Sequence, residues 1–298
     1  FRIDRYHSMI FDVIIIGAGP GGLACAAAAA SQGLTALVLE RKHTIGRKVC
    51  AGGITCNGLL KTCSPDIFEK SFSEQHVFTR MQKVCITSPA PIIATVNREN
   101  LGRKMAFKAS QAGAEIRLDC QVLAIDKHNQ KIHIIDKTSN SKEWLTYTYL
   151  VGADGSSSLV RRYLGLPMSD VGIGINYQIP GEYEEMQWHL NSSLFANGYA
   201  WVFPHCGSAS IGAYVDLKCM KAATLKNNLQ RWGEKNGHAL AQYKASAELV
   251  NFDFRGWHFG NIFLLGDAAG LTSGLTGEGI YSAILSGETV GNFLGDPQ

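Results

Sequence analysis

The chain has 298 residues, a length that suggests about two domains. Hydrophobic residues make up 46% and charged residues 18%, with glycine at 32 positions, which excludes a disordered or fibrous chain. The net charge is only +3 and the 28 basic residues are scattered, so the dense stripe of a nucleic-acid face is missing and no nucleic-acid partner is expected.

The cysteines (Cys25, Cys50, Cys56, Cys63, Cys85, Cys120, Cys206 and Cys219) sit in apolar and motif segments of a long chain without a secretory leader pattern. That usage points to reduced thiols in a cytosolic compartment rather than a disulfide framework. No pair has CxxC spacing, and Cys50, Cys56 and Cys63 have no fourth ligand close by, so no metal site is expected. The longest apolar stretch, residues 24–30, falls far short of the roughly 20 residues that span a bilayer. Peripheral membrane contact stays open. Residues 1–8, ahead of Met9, are read as an upstream segment without functional weight.

Residues 11–16 form a continuous β-branched and apolar run, which predicts a strand buried on both faces of a parallel sheet. A glycine cluster ends it, residues 23–32 predict an alanine-rich helix capped by Gly33, and residues 35–39 predict a second strand. The unit has the length of a right-handed strand-helix-strand crossover. Residues 84–87 and 92–96, separated by Ser88-Pro89-Ala90-Pro91, predict a hairpin that leaves for another sheet. A helix over 99–112, stopped at Gly113, precedes a meander over 114–151 that returns to Gly152-Ala153-Asp154-Gly155.

From 170 to 254 strand-like runs (173–179, 199–203, 210–215) and one amphipathic helix at 222–234 predict a second, largely antiparallel domain. A buried strand at 261–265 and a helix at 275–294 rejoin the first. The fold class expected is α/β: a Rossmann-like nucleotide-binding domain, with a parallel sheet, helices and a β-meander, plus a largely antiparallel β-sheet substrate domain. The first domain is discontinuous, over 9–75, 97–168 and 258–298; the second covers 76–96 and 169–257.

Gly17-Ala18-Gly19-Pro20-Gly21-Gly22 matches GxGxxG between the first strand and helix. Gly17 permits the tight turn, Gly19 lets backbone approach a diphosphate, and Gly22 lets helix and strand pack closely, with the helix amino end facing the anion. Glu40 closes the second strand at the distance where a carboxylate accepts the ribose hydroxyls. Its charge repels a 2′-phosphate, which argues against NADP at this site and leaves FAD or NAD. Arg41, Lys42, Arg47 and Lys48 can stack on adenine or face the diphosphate, with a solvated loop as the alternative for Lys42 and Lys48. Gly266-Asp267-Ala268-Ala269-Gly270 puts a carboxylate at a strand's carboxyl end, and Thr276-Gly277-Glu278-Gly279-Ile280 opens a helix whose amides can hold the negative charge of a reduced flavin.

With these three motifs in order from about residue 11 to 294, the sequence resembles the FAD-dependent geranylgeranyl reductase family, of the para-hydroxybenzoate-hydroxylase-type flavoprotein fold. The resemblance implies that the Gly17 to Gly22 loop, including Pro20 and Gly21, and Glu40 hold the ADP half of FAD, and Arg41 and Arg47 of the basic cluster are expected on the cofactor as well. It implies Asp154 near the cofactor, Gly266 and Asp267 on the ribityl chain, Arg98 on FAD, the Val122 backbone near adenine, and Gly279 and Ile280 beside the isoalloxazine ring. Cys50-Ala51-Gly52-Gly53 is similar to the Cys-x-Gly-Gly segment that passes the flavin in these reductases. Tyr199-Ala200-Trp201-Val202-Phe203-Pro204 is similar to their YxWxFP segment, which lines the substrate cavity. Cys50 is a packing residue, a redox thiol or a steric gate, and the candidate for a catalytic role; Tyr199, Trp201 and Phe203 are aromatic core or substrate lining.

The resemblance implies hydride transfer from flavin N5 to carbon–carbon double bonds of a polyprenyl or similarly apolar substrate, with NAD(P)H or ferredoxin as a transient electron donor. An aromatic-ring monooxygenase of the same fold and a flavin-binding redox subunit without its own turnover are the alternatives. The Cys50 and YxWxFP segments favour the reductase, and Tyr199 in place of a first Trp disfavours a halogenase. Two departures bear on the substrate. Gly274 stands where relatives usually carry Pro, which implies a looser loop. The chain also stops soon after Leu294, where many relatives continue, which implies a pocket that is more open or completed by a partner.

Overall fold

The structure, a computed structural model, describes residues 10–46, 50–55 and 67–296; Arg47, Lys48, Cys56, Cys63 and the 1–8 segment lie outside them. Strand β1 (Ile10–Ile16) leads into helix α1 (Pro20–Ser31), and β2 (Ala36–Leu39) returns parallel to β1. Short strands β3 (Gly53–Thr55), β4 (Phe68–Phe72), β5 (Glu74–Phe78), β6 (Lys83–Thr87) and β7 (Ile93–Val96) precede helix α2 (Arg98–Gln111). β8 (Glu115–Arg117) adds to β2 in parallel. β9 (Cys120–Asp126), β10 (Lys131–Asp136) and β11 (Lys142–Gly152) form an antiparallel meander whose last strand then runs parallel to β1.

After helix α3 (Leu159–Tyr163) come β12 (Val171–Pro180), β13 (Gln187–His189), β14 (Tyr199–His205), β15 (Ser208–Asp216), helix α4 (Ala222–Lys235) and β16 (Ser246–Asn251). β17 (His258–Phe259) and β18 (Ile262–Leu264) rejoin the first sheet beside β11, and helices α5 (Gly266–Ala269) and α6 (Ile280–Gly295) follow. Among the described residues this gives an eight-stranded sheet in the order β17-β18-β11-β1-β2-β8, with β10 and β9 running off β11. It also gives a seven-stranded sheet, β16-β12-β15-β14-β13-β5-β6, and a three-stranded one, β3-β7-β4. The fold is α/β, with a parallel-rich Rossmann-like sheet and two antiparallel sheets, β13 and β5 being the one parallel pair of the seven-stranded sheet.

Packing explains the composition of α1. Its alanines are buried nearly all round because the helix lies between the parallel sheet and α6. The two helices meet backbone to backbone: a Cβ on Gly287 would lie 2.2 Å from Gly21 O, and one on Gly291 2.6 Å from Cys25 O. The seven-stranded sheet has two different faces. Ile173, Ile175, Val202 and Ile211 pack under α4 through Leu225, Leu229 and Trp232, while Tyr199, Trp201, Phe203 and Tyr214 cover the other face.

Two sequence expectations are corrected. Residues 84–87 and 92–96 do not form a hairpin: β6 pairs with β5, and β7 pairs with β3 and β4 in another sheet. The intervening prolines favour extended chain over the tight turn that would fold the runs together. Burial separates them as well, since β6 is exposed at every residue and β7 buried at every residue. The last helix starts at Ile280 rather than 275, because Gly277 has φ +67° and Gly279 is the cap. No helix among the described residues is long and apolar enough to cross a membrane.

Candidate functional site

The glycine loop is shaped by backbone contacts. Gly17 has φ +107°, and a Cβ there would lie 2.4 Å from Ala153 O. A Cβ on Gly22 would lie 2.0 Å from Gly17 O, so the loop closes on itself where α1 leaves β1. Gly19 is different: the nearest atom to its Cβ position is Ala153 O at 3.9 Å, so this face is open. α1 starts inside the motif, three residues earlier than its sequence pattern suggests, with Gly19 as N-cap, Pro20 in the first turn, no side-chain cap and no acidic residue there. The open amino end of a well-buried helix is thereby left for an anion.

Glu40, just past β2, accepts hydrogen bonds from Ala18 N to Oε2 and from Lys42 N to Oε1, each at 3.0 Å. Each oxygen keeps a lone pair for a further donor. Arg41 is exposed, and its carbonyl accepts from Lys137 Nζ at 2.7 Å. Cys120 N donates to Glu40 O at 2.9 Å, which brings the start of β9 and its buried Val122 beside the same end of β2. Arg47 lies outside the described residues.

Asp154 and Asp267 follow two neighbouring strands, β11 and β18. Asp154 Oδ2 accepts from Leu159 N at 2.6 Å, capping α3, while its Oδ1 is buried with no hydrogen-bond partner among the described residues. Burial pushes this carboxyl up from the ordinary range, against the pull of its hydrogen bonds. Asp267 Oδ1 accepts from the Thr272 hydroxyl at 2.8 Å and its Oδ2 lies 3.0 Å from Ser156 Oγ. Its main-chain carbonyl accepts from Asn251 Nδ2 at 2.8 Å, and Gly266 N donates to Ser286 Oγ at 3.2 Å. Gly279 is pressed against this carboxylate, its Cβ position 3.0 Å from Asp267 Oδ1, and Ile280 is buried with Ile54, Val96 and Ile284.

A cleft of about 580 Å³ runs past Gly46, Cys50, Gly52, Arg98, Asn176, His205 and Lys244. Arg98 opens α2, and its Nε is buried without a hydrogen-bond partner among the described residues. Cys50 is half-buried; its Sγ accepts from Gly52 N at 3.3 Å and its carbonyl from Asn176 Nδ2 at 3.1 Å. Ala51 O accepts from His205 Nε2 at 3.0 Å, and His205 Nδ1 pairs with Glu69 Oε2. Both ring nitrogens thus face oxygen atoms. Cβ atoms on Gly52 and Gly53 would lie 2.5 Å from His205 and 2.6 Å from Phe203, so only glycine lets this segment lie flat on β14.

Tyr199, Trp201 and Phe203 are all buried, in one aromatic layer with Trp188 and Tyr214. Gly212, directly opposite Trp201 on β15, makes room for the indole, whose Nε1 donates to Ser210 Oγ at 2.9 Å. Tyr199 Oη donates to Thr276 O at 2.5 Å and Tyr214 Oη to Gly274 O at 2.9 Å. Burial holds the Tyr199 phenol far above its ordinary value and pushes Tyr214 up to about 12. These two bonds join the loop that carries Gly274 and Thr276 to the aromatic layer. Sequence reasoning did not single out Glu69, Asn176, His205 or Lys244. His205 was readable, since it continues the two-residue alternation of Tyr199, Trp201 and Phe203; Glu69 carries no such signal.

Residues 11–176 match the FAD binding domain family. The chain belongs to that family. FAD is its cofactor, and the site fits it: an open Gly19 at an uncapped helix end, Glu40 with lone pairs to spare, and a buried unpartnered guanidinium nitrogen on Arg98. The chain is 28% identical over 287 residues to an uncharacterized protein of Methanosarcina barkeri, covering 93% of this chain and 72% of that one. It is 25% identical over 308 residues to the digeranylgeranylglycerophospholipid reductase of Methanocaldococcus jannaschii, covering 95% and 76%. In fold it is similar to a geranylgeranyl bacteriochlorophyll reductase-like protein of Thermoplasma acidophilum, with a TM-score of 0.86 and 24% identity over 96% of this chain and 78% of the other.

Proposed function

We propose that this FAD-dependent oxidoreductase saturates carbon–carbon double bonds of a polyprenyl, geranylgeranyl-like chain. The observation that carries the reading is the contact of the Cys50–Gly53 segment with Phe203 and His205, which sets the apolar aromatic layer of β14 against the edge of the cleft. When bound, FAD supplies the hydride, from flavin N5. Gly19 would let the diphosphate approach the amino end of α1, in a loop that Gly17, Gly21 and Gly22 shape by close packing; Glu40 and Arg41 would hold the adenosine end, and Arg98, Asp154 and Asp267 the rest of the cofactor. Gly279 and Ile280 would hold the flavin ring, and Cys50, Ala51 and Gly53 would pass beside it. Tyr199, Trp201 and Phe203 supply apolar wall and exclude water.

The two parts divide as 9–75, 97–168 and 258–298 for the cofactor, and 76–96 and 169–257 for the substrate. The electron donor is a transient partner of the NAD(P)H or ferredoxin class. Contact with the lipid's membrane is peripheral.

The test bypasses the donor. The purified protein is reduced chemically without oxygen, incubated with geranylgeranyl diphosphate or a geranylgeranylated lipid, and the product weighed by mass spectrometry. A gain of one hydrogen pair for each double bond reduced is the expected result; an unchanged mass with the flavin still reduced sinks the proposal.

A further inference from the structure

At the edge of the seven-stranded sheet, a carboxylate, an imidazole and a thiol share one face of a two-stranded ribbon. β5 and β6 pair antiparallel, with His76 opposite Cys85 and Glu74 opposite Thr87. Side chains two apart on a strand share a face, and so do direct cross-strand partners. One ligand atom from each of Glu74, His76 and Cys85 lies within 4.8 Å of the other two.

The surroundings of His76 point the same way. Its Nδ1 is buried with no hydrogen-bond partner among the described residues, a costly state for a ring nitrogen. Its Nε2 lies 4.0 Å from Glu185 Oε1, and the other oxygen of Glu185 lies 3.8 Å from Lys83 Nζ. An imidazole with one nitrogen near a carboxylate and the other buried without a partner is placed as a metal ligand, and a small shift of Glu185 would bring it into hydrogen-bond range of the ring.

We propose that Glu74, His76 and Cys85 bind a zinc ion, with water in the fourth position and Glu185 as the outer carboxylate. One sulfur, one nitrogen and one oxygen suit a borderline tetrahedral cation and not the all-oxygen shells of magnesium or calcium. Binding displaces the Cys85 thiol proton to solvent, and the thiolate takes the ion in its place. None of the three ligands lines the cofactor cleft. The ion acts on the fold, stapling the exposed edge strand β6 to β5.

Cobalt(II) is the optical probe. The full-length holoprotein is freed of metal with a chelator and titrated with Co²⁺, and the difference spectrum is read against the metal-free protein. The expected result is a saturable thiolate-to-cobalt absorption that Zn²⁺ bleaches, that Cys85→Ser and His76→Gln abolish at unchanged flavin content, and that Glu185→Gln weakens by about tenfold in affinity. Should Cys85→Ser fold poorly, Glu74→Gln at the exposed start of β5 reads the same site through weakened binding. Absence of the band in the wild type, or a band of undiminished intensity in Cys85→Ser, overturns the proposal.

Discussion

Glu40 Oε2 accepts a hydrogen bond from Ala18 N at 3.0 Å, so the acid that ends the second strand also holds the middle of the glycine loop. With Lys42 N on its other oxygen, Glu40 orients two turns at once. Glu40→Gln sets an amide donor against one of those backbone donors, and Glu40→Ala removes both acceptors. Hydrogen bonds to a charged group contribute about 1.5–3 kcal/mol, so Glu40→Ala should weaken FAD binding by at least tenfold. Titration of apoprotein by flavin fluorescence quenching measures this, and an unchanged affinity would remove Glu40 from the site.

Gly19 and Gly22 separate binding from folding. A methyl on Gly19 meets nothing nearer than 3.9 Å, whereas one on Gly22 lies 2.0 Å from a carbonyl oxygen. Gly19→Ala should leave the thermal midpoint of the apoprotein unchanged and weaken FAD, whereas Gly22→Ala should lower apoprotein stability by about 1–3 kcal/mol. Urea unfolding of both apoproteins checks the contrast; equal losses would mean that Gly19 is structural.

Arg161 and Asp253 form a buried pair, 2% and 3% exposed, that joins helix α3, after β11, to the chain that follows β16. Arg161 donates to Pro167 O at 2.9 Å, Ala268 O at 3.2 Å and Asp253 O at 2.6 Å, and so holds the turn that carries Asp267. Asp253 keeps its closer partner Arg255, at 2.5 Å, so what Arg161→Ala leaves behind is buried carbonyls without their donor, and it should cost about 1–3 kcal/mol in urea unfolding. A loss under 1 kcal/mol would show that the carbonyls rehydrate freely.

His189 predicts a pH dependence. Burial first, and the neighbouring His238 second, lower its imidazole from 6.5 to about 4. Between those values the unfolded chain binds more protons than the folded one, so stability should fall as pH drops from about 6.5 towards 4. His189 stacks on Phe78 at 4.5 Å and meets Trp232 edge-on, so His189→Phe should keep the packing and flatten the slope. A smaller slope should remain from His238, which burial also lowers. Urea midpoints measured across that window decide it, and identical slopes in both proteins would count against the assignment.

The parts legible in the sequence are those where local pattern and tertiary environment agree. β1, α1 and β2 read clearly because continuous β-branched runs and an alanine-rich helix are what a sheet covered on both faces demands. β3, β4 and β5 went unread, since Phe68–Phe72 and Glu74–Phe78 mix charged and apolar residues and are only partly buried. The 84–96 region misled because closeness in sequence suggested pairing, whereas burial sends β7 to β3 and β4. In the site, the motif residues were visible through backbone geometry that glycine alone permits. The Glu69–His205 pair was not, because it joins positions 136 residues apart.

The central claim is that electrons on this chain's flavin go to a prenyl double bond, and the most direct measurement follows the flavin spectrum of the reduced protein without oxygen as a geranylgeranylated lipid is added. The expected result is return of the oxidised flavin spectrum in step with lipid added, one two-electron oxidation for each double bond saturated. A reduced spectrum that persists with the lipid and returns only when oxygen is admitted would contradict the claim and favour oxygen-dependent hydroxylation.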